Sequence, residues 1–409
     1  MNNDASRIME AALRDAMPGE AVRQALANIR FQNEGRRLVI AVGKAAWEMA
    51  RAAWEVLGPQ IDGGVVITKY EHAKGELGPL EIWEAGHPVP DANSYRATER
   101  ALLAVQDLKP QDDVLFLLSG GGSALFEKPL VPAEELEDIT RQLLSCGANI
   151  VEMNTIRKRL SGVKGGRFAL CCAPAQVHAV VLSDIIGDPL DMIASGPAYP
   201  DASTCEQARA IAQRYGLRLS EQAWALLDRE TPKELTNVDT QVTGSVRQLC
   251  RSAAAVCREL GYEPIVLTAS LDCEAREAGR FLAAVARDHQ ASERSLAYLA
   301  GGETVVHLTG RGKGGRNQEL ALAAAPGLDG CRDTCLFSFG SDGSDGPTDA
   351  AGGYVDENTA GALEAAGVDI NAVMWENDAY HALQQCGGLI VTGPTGTNVN
   401  DLAVLLIKR

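Results

Sequence analysis

Short apolar runs rich in β-branched residues alternate along the first half of the chain with longer segments whose apolar residues recur at helical spacing. Strands and helices that alternate in this way predict an α/β fold with a mostly parallel sheet and helices on both of its faces. The predicted strands are 37–43, 64–69, 114–118 and 177–183, and the predicted helices are 45–57, 95–108 and 206–215.

The polar segment 228–240 lacks apolar periodicity and is the best candidate for a linker. We therefore expect two domains, at residues 1–235 and 236–409, because a chain of 409 residues exceeds the size that one hydrophobic core usually supports. After the linker the pattern predicts a second α/β unit. Its strands are 264–268, 295–299, 304–308, 335–339, 389–392 and 401–407, and its helices are 246–260, 274–289 and 317–325.

Composition and charge narrow the classes of protein that the chain can represent. With 46% hydrophobic and 22% charged residues it has the composition of a folded globular protein. A formal net charge of −16 argues against a partner that is a nucleic acid. Residues 1–17 carry acidic side chains throughout and predict a helix rather than a secretory signal, and no stretch approaches a membrane span.

The ten cysteines show neither paired metal-ligand spacing nor a disulfide framework, and Cys171 and Cys172 are adjacent. We interpret them as structural thiols in a reducing environment, which favours a cytoplasmic location. The expected partners are small molecules, with no membrane partner, and the pattern leaves open whether the chain forms a homo-oligomer.

A glycine-rich loop follows the predicted strand 114–118 directly. It consists of Ser119, Gly120, Gly121, Gly122 and Ser123. Successive glycines let backbone N–H groups approach a phosphate closely, so this loop is a candidate for binding substrate or phosphate. The alternative is a flexible tight turn.

A second loop is rich in glycine and in cations, and precedes the predicted helix 317–325. Gly310, Gly312 and Gly315 match the G-x-G-x-x-G pattern of dinucleotide-binding proteins. The same loop carries Arg311, Lys313 and Arg316, which that pattern does not require but which phosphoryl transfer uses to neutralise developing negative charge. The alternative for these cations is a solvated run of surface charge.

Two further loops bring carboxylates to the ends of predicted strands. Asp184 and Asp188 follow the strand 177–183, and Asp342 and Asp345 follow the strand 335–339. Carboxylates in such positions hold Mg²⁺ or accept the proton of a substrate hydroxyl, and we take Asp188, Asp342 and Asp345 as candidate metal ligands. For Asp342 and Asp345, Asp-Gly turn chemistry explains the sequence about equally well.

Two residues of the first domain complete the set of candidates. Lys44 stands at the end of the strand 37–43, where an ammonium group can meet a phosphate or a carboxylate, unless it is an ordinary solvated helix lysine. His87 lies after an apolar run in the segment 86–94, where it is a candidate ligand or a structural turn residue.

Taken together, these loops resemble those of the type II glycerate kinase family, whose carboxyl-terminal half is the MOFRL domain. The resembling segments, in chain order, are VGKAAWEMA, GHPVPDANS, LSGGGSALFEKP, NTIRKRLSGVKGGRFA, LSDIIGDPLDMIASGPAYPD, GGETVVHLTGRGKGGRNQELAL, FGSDGSDGPTDAAGGYVD and TGPTGTNVNDLAV. The resemblance implies a Rossmann-like first domain, a smaller second α/β domain and an active site in the cleft between them.

The resemblance also implies an activity. Members of this family transfer the γ-phosphoryl group of ATP to the 2-hydroxyl of D-glycerate, with Mg²⁺, and give 2-phosphoglycerate and ADP. The family's key positions fall on Lys44, Asp184 and Arg316. Our hypothesis is that Asp184 orients or deprotonates the hydroxyl, while Lys44 and Arg316 neutralise the transferring phosphate or hold the substrate carboxylate.

Two other functions remain as alternatives. Family members are often labelled hydroxypyruvate reductases, and such an enzyme would use the G-x-G-x-x-G loop to bind NAD(P). An acidic partner for the ribose should then end the next strand, and the nearest candidate, Asp342, lies within an Asp-Gly-rich loop. The second alternative is a non-catalytic protein that binds a small anion with the same loops.

Overall fold

The computed structural model describes residues 1–32, 34–183, 187 and 189–409, which group into two compact units. We call Ala21–Ser183 with 189–243 the N-terminal unit, and Met1–Glu20 with Gly244–Arg409 the C-terminal unit. These units differ from the expected domains in two respects. The division follows Thr243 instead of residue 235, and Met1–Glu20 groups with the second half of the chain.

The N-terminal unit holds a sheet with the strand order β3-β2-β1-β4-β5-β6. Its strands are β1 (Arg37–Val42), β2 (Gly63–Lys69), β3 (Leu80–Ala85), β4 (Asp113–Leu118), β5 (Gln176–Leu182) and β6 (Val238–Gly244). The helices up to this point in the chain are α1 (Asn3–Asp15), α2 (Pro18–Leu26), α3 (Ala46–Leu57), α4 (Ala92–Ala104), α5 (Gly122–Leu125), α6 (Ala133–Ser145), α7 (Ile150–Arg159), α8 (Arg167–Cys172), α9 (Cys205–Arg214) and α10 (Glu221–Leu227).

The pairings of β1 with β2 and β4, of β2 with β3 and of β4 with β5 are all parallel. Strands β1, β4 and β5 are buried almost throughout, which explains why they read as continuous apolar runs. Alternate side chains of these strands form one core with α4 and α8, and α3 packs on β1, β2 and β4. The predicted mostly parallel α/β sheet is confirmed, with the strand order of Rossmann folds.

Helices α6, α7, α9 and α10 form a separate apolar cluster in the N-terminal unit. Helix α7 starts with a capping box, in which the side chains of Asn149 and Glu152 each accept a backbone N–H of the other residue. The cluster includes Leu136 and Ile139 of α6 and Met153 of α7. It therefore fixes α6 against α7.

The C-terminal unit holds a sheet with the order β11-β10-β9-β12-β8-β7. Its strands are β7 (Glu263–Leu271), β8 (Leu296–Gly302), β9 (Thr334–Gly340), β10 (Gly352–Asp356), β11 (Leu389–Ile390) and β12 (Asp401–Ile407). Its further helices are α11 (Val246–Glu259), α12 (Ala275–Asp288), α13 (Arg316–Leu328), α14 (Thr359–Ala365), α15 (Ile370–Trp375) and α16 (Ala379–Gln385).

This second sheet is mixed, with β7 parallel to β8 and the other pairs antiparallel. The central strand β12 is buried along its whole length between β8 and β9. Helices α12 and α13 form the main core with β8, β9 and β12. Helix α1 packs on α11, which explains why Met1–Glu20 belongs to this unit.

The strand predicted at 304–308 does not form. Strand β8 already ends at Gly302, and the following residues make only one isolated bridge, between Val305 and Glu274. Val305 and Leu308 are 57% and 79% exposed, so the apolar pattern here does not mark a core strand. Within the part of the chain that the structure describes, no helix is both long and apolar enough to span a membrane.

Candidate active site

The loops that follow β1 and β4 leave the sheet side by side. From β1 the chain proceeds outward to β2 and β3, and then returns to the other side of β1 to form β4 and β5. The carboxyl ends of β1 and β4 therefore lie at the point where the strand order reverses, which is where open α/β sheets bind ligands. The backbone N–H of Lys44 donates to the carbonyl of Gly120 at 2.9 Å and joins the two loops.

The glycine-rich loop 119–123 is fixed at its start and open along the rest of its length. Ser119 is buried, its N–H donates to the carbonyl of Val42 at 2.9 Å, and its hydroxyl accepts the N–H of Ala45 at 3.1 Å. The backbone N–H groups of the next residues, 120–123, donate to no acceptor in the described part of the chain. Gly121 has φ +90°, a left-handed conformation that favours glycine. Such a row of unengaged N–H groups is suited to binding an anion.

Lys44 and His87 flank this loop. A Cβ atom at Gly121 would lie 3.1 Å from Cδ2 of His87 and 3.2 Å from Cγ of Lys44. The Lys44 side chain is exposed and has no hydrogen bond or ion pair with any described residue. The structure thus brings together Lys44, His87 and the loop 119–123, and their assignment to a phosphate site stays a prediction.

Three residues that the sequence analysis did not single out support the loop from behind. The hydroxyl of Ser195 lies 3.1 Å from that of Ser123 and donates to Oδ1 of Asn154 at 3.0 Å. A guanidinium N–H of Arg157 donates to the carbonyl of Ser123 at 3.2 Å. Ser195 has φ +62°, which is strained for a residue other than glycine. All three residues lie in segments that resemble the type II glycerate kinase family. That resemblance is the feature of the sequence that could have pointed to them.

In the C-terminal unit Arg316 is the first residue of α13 and is held by two carboxylates. Its guanidinium makes a bidentate contact with Asp401 and donates to Oε1 of Glu303 at 2.8 Å. Burial alone would lower the pKa of Arg316, but the hydrogen bonds and charges of Asp401 and Glu303 raise it. The side chain is 35% exposed, so its remaining N–H groups are accessible to a ligand.

Asp345 caps the start of α13. Its two carboxylate oxygens accept the backbone N–H groups of Asn317 at 3.1 Å and Gln318 at 2.9 Å. Burial raises the pKa of Asp345 to about 6, although these N–H groups act in the opposite direction. A Cβ atom at Gly315 would lie 2.3 Å from Cγ of Asp345, so glycine is needed here for the carboxylate to approach the helix.

The other glycines of the second loop pack against the segment 376–378. Cβ atoms at Gly310 and Gly312 would lie 2.3 Å from Cα of Glu376 and 2.5 Å from Cβ of Asp378. The N–H groups of Gly312 and Lys313 donate to these same two residues. The backbone N–H groups of Gly310, Gly312 and Lys313 are therefore engaged by protein acceptors and are not available to a phosphate.

The cations of the second loop do not all converge. Arg311 is exposed and has no ion-pair partner in the described chain, whereas Nζ of Lys313 lies 4.0 Å from the ring centroid of Tyr380. Asp342 accepts the N–H of Ser344 at 2.9 Å, as in an Asp-initiated turn. Asp184 and Asp188 lie outside the residues that the structure describes. The assignments of all these residues to a site stay predictions.

Comparison with known proteins gives two family matches that together span most of the chain. Residues 4–228 match a family described as a domain of unknown function (DUF4147). Residues 296–401 match the MOFRL family.

Full-length relatives share this organisation. A D-glycerate 2-kinase of Thermotoga maritima is 51% identical over 98% of this chain and 97% of its own length. A protein of Agrobacterium vitis that is named as a hydroxypyruvate reductase is 40% identical over 98% of this chain and 93% of its own length. The crystal structure of a glycerate kinase from Thermotoga maritima matches with a TM-score of 0.93 and 51% identity, covering 99% of this chain and 98% of that one.

Proposed function

Because the chain belongs to the family of glycerate kinases built from the DUF4147 and MOFRL domains, we propose how its residues carry out that family's reaction. The enzyme transfers the γ-phosphoryl group of ATP to the 2-hydroxyl of D-glycerate and releases 2-phosphoglycerate and ADP. The observation that supports this reaction best is the set of unengaged N–H groups at 120–123, next to the exposed ammonium of Lys44.

The N-terminal unit contributes the phosphate-binding groups in this proposal. Phosphoryl transfer needs positioning and neutralisation of charge more than covalent participation by the protein. The N–H groups of 120–123 bind phosphate oxygens, and Lys44 adds a positive charge, because no carboxylate of the described residues holds its ammonium. His87, beside Gly121, donates or accepts a further hydrogen bond at the same loop.

The remaining roles belong to Arg316 and Asp184. Asp401 and Glu303 fix the guanidinium of Arg316, so it can offer its remaining N–H groups to a phosphate or to the glycerate carboxylate without losing its orientation. Asp184 orients or deprotonates the 2-hydroxyl of the acceptor, a role that a carboxylate at a strand end can take.

Mg²⁺ is also part of the proposal. Among the described residues no group of three or more His, Cys, Asp or Glu side chains forms a metal site, but Mg²⁺ on ATP needs only one or two protein carboxylates beside phosphate oxygens and water. Asp342 fits this need, because the Ser344 N–H engages one of its oxygens, whereas Asp345 has both oxygens engaged. The ion would neutralise charge on the phosphates.

The glycines of the second loop do not favour the reductase alternative. A dinucleotide fingerprint requires a strand directly before the first glycine, and the strand expected at 304–308 is missing. Gly310, Gly312 and Gly315 are instead needed where the loop packs on 376–378 and on Asp345. We further propose a cytoplasmic location, where ATP is available and the ten free cysteines stay reduced.

The proposal is tested by incubating the purified protein with ATP, Mg²⁺ and D-glycerate and identifying the product by ³¹P NMR. We expect 2-phosphoglycerate, and we expect Lys44→Met to lower turnover by about a hundredfold, as loss of a transition-state contact does in other enzymes. Lys109→Met, at an exposed lysine of the same unit, is the control. Oxidation of NAD(P)H by hydroxypyruvate without any phosphorylation would favour the reductase instead.

A further inference from the structure

A pocket of about 410 Å³ lies in the N-terminal unit, between the segment 88–90 and the helices α4, α6 and α7. Its walls are mostly apolar and include Pro88, Val89, Leu136 and Met153. The charged side chains that line it are Glu137, Arg141 and Arg157. Leu136 and Met153 belong to the apolar cluster that joins α6 to α7, so the floor of the pocket is rigidly supported. Its size falls in the range of small-molecule sites.

The pocket borders two residues that contact the glycine-rich loop or adjoin such a residue. Pro88, in its wall, directly follows His87, whose ring lies against Gly121. Arg157 lines the pocket and donates to the carbonyl of Ser123 at 3.2 Å. A ligand that fills the pocket is therefore close to the glycine-rich loop.

Arg157 also has unused bonding capacity. Its Nε is buried and makes no hydrogen bond with any described residue. A buried N–H without a partner is unfavourable, so a polar ligand atom at this position would be favoured. The side chain stands where the pocket and the glycine-rich loop meet.

From this geometry we propose that the pocket binds the adenine ring of ATP, with the phosphates extending over the loop 119–123. This assignment rests on the proposed kinase function. Adenine presents two flat apolar faces and a polar edge, which suits apolar walls such as Val89 and Met153 together with polar groups such as Arg157. D-glycerate is a small polar acid that could use the arginines but gains nothing from the apolar walls.

The pocket can be filled without touching the loop. Thr140 of α6 lines it at a half-buried position, and Leu144, one helical turn on, lines it at a position that is 63% exposed. We expect Thr140→Trp to weaken ADP binding by about tenfold or more in isothermal titration calorimetry, while the affinity for inorganic tripolyphosphate stays unchanged. Leu144→Trp should act in the same direction, and it keeps the test valid if Thr140→Trp does not fold.

The matched control is Leu170→Trp, at a 57% exposed leucine of α8 that does not line the pocket, and it should bind both ligands like the wild type. Unchanged ADP affinity in both pocket variants would overturn the assignment, as would equal losses for ADP and tripolyphosphate. If the pocket variants raise the KM for D-glycerate and leave the KM for ATP unchanged, the pocket binds D-glycerate and the adenine assignment is wrong. If the wild type binds ADP through the pocket but does not phosphorylate D-glycerate, the proposed function fails and the nucleobase site stands.

Discussion

The carboxylate of Asp345 is the clearest case of a side chain whose surroundings change its chemistry. It is 2% exposed and accepts two backbone N–H groups at the start of α13. Helix N-termini favour negative charge, yet burial outweighs that effect and raises the pKa of Asp345 to about 6. Its charged form is therefore less stable in the folded protein than in the unfolded chain.

This pKa predicts a pH dependence of stability. The folded pKa lies above the ordinary value of 3.8, so the folded protein binds the proton more tightly between pH 3.8 and about 6. The contribution of Asp345 to the free energy of unfolding is then largest below pH 3.8 and is lost as the pH rises through about 6. The loss should be on the order of 2–3 kcal/mol.

The measurement is the free energy of unfolding of the wild type minus that of Asp345→Asn, by urea titration from about pH 4 to about pH 7. We expect this difference to fall as the pH rises. Asp349→Asn is a suitable control, because the hydrogen bond from Tyr380 lowers the pKa of Asp349 and moves its titration below this range. A difference that rises with pH for Asp345→Asn would contradict the assigned direction.

At the scale of elements, the conformation of the glycine-rich loop depends on glycine at one position, residue 121, more than on the number of glycines in the loop. Gly121 combines φ +90° with close neighbours, because His87 and Lys44 stand where its Cβ would point. Gly147, between α6 and α7, has φ +75° but no atom within 4 Å of a Cβ. A substitution at Gly147 therefore introduces backbone strain alone, whereas a substitution at Gly121 introduces both strain and crowding against Lys44 and His87.

We expect Gly121→Ala to raise the KM for ATP and to lower turnover, because the added methyl displaces Lys44 and His87. Gly147→Ala should cost a similar amount of stability, about 1 kcal/mol for a left-handed alanine, without changing the kinetics. Thermal unfolding and steady-state kinetics on both variants make the comparison. Equal kinetic effects in the two would mean that crowding at the loop does not matter.

Much of the secondary structure was predictable because buried parallel strands read as uninterrupted apolar runs. The predictions failed where pairing partners decided the outcome. The segment 304–308 has a strand-like pattern, but β8 ends at Gly302 and leaves it without a neighbour beyond one bridge. Conversely, β6 (Val238–Gly244) is a mostly half-buried edge strand in which polar residues outnumber the two valines, and its start lies inside the segment predicted as a linker.

The candidate site was predictable to the extent that it is local in sequence. Lys44 and Ser119–Ser123 each follow a strand, so the predicted strand ends identified them as candidates. Because β1 and β4 are neighbours in the sheet, these residues lie close together in the structure. The partners of Arg316 were not predictable in this way. Asp401 is 85 positions away along the chain, and its contact with Arg316 follows from the way β12 packs in the second sheet.

At the scale of the whole molecule, the C-terminal unit is discontinuous in sequence. Helix α1 buries Ile8, Ala5 and Ala12, and packs on α11. Asp4 accepts hydrogen bonds from the hydroxyl of Tyr262 at 2.8 Å and from Nζ of Lys408 at 3.0 Å. The start and the end of the chain thus stabilise the same unit.

Ile8→Ala should consequently destabilise the C-terminal unit. Removing a fully buried isoleucine side chain typically costs about 2–5 kcal/mol, and Ile8 has no exposed surface. We expect faster amide hydrogen exchange in α11 but not in β1 and β4, with Glu10→Ala, at an exposed position of the same helix, as the control. Faster exchange in β1 and β4 alone would show that α1 supports the N-terminal unit instead.

The discontinuity also bears on synthesis by the ribosome. Helix α1 ends at Asp15 and its partner α11 begins at Val246, so the ribosome translates 230 residues between the two helices. At about 5–20 residues per second, α1 waits roughly 12 to 46 s before α11 is translated. The strands of the N-terminal unit are completed during that interval, while the apolar face of α1, including Ile8 and Met9, is still without the helix on which it packs in the folded protein. Apolar surface that is exposed in this way during synthesis is the kind that chaperones protect.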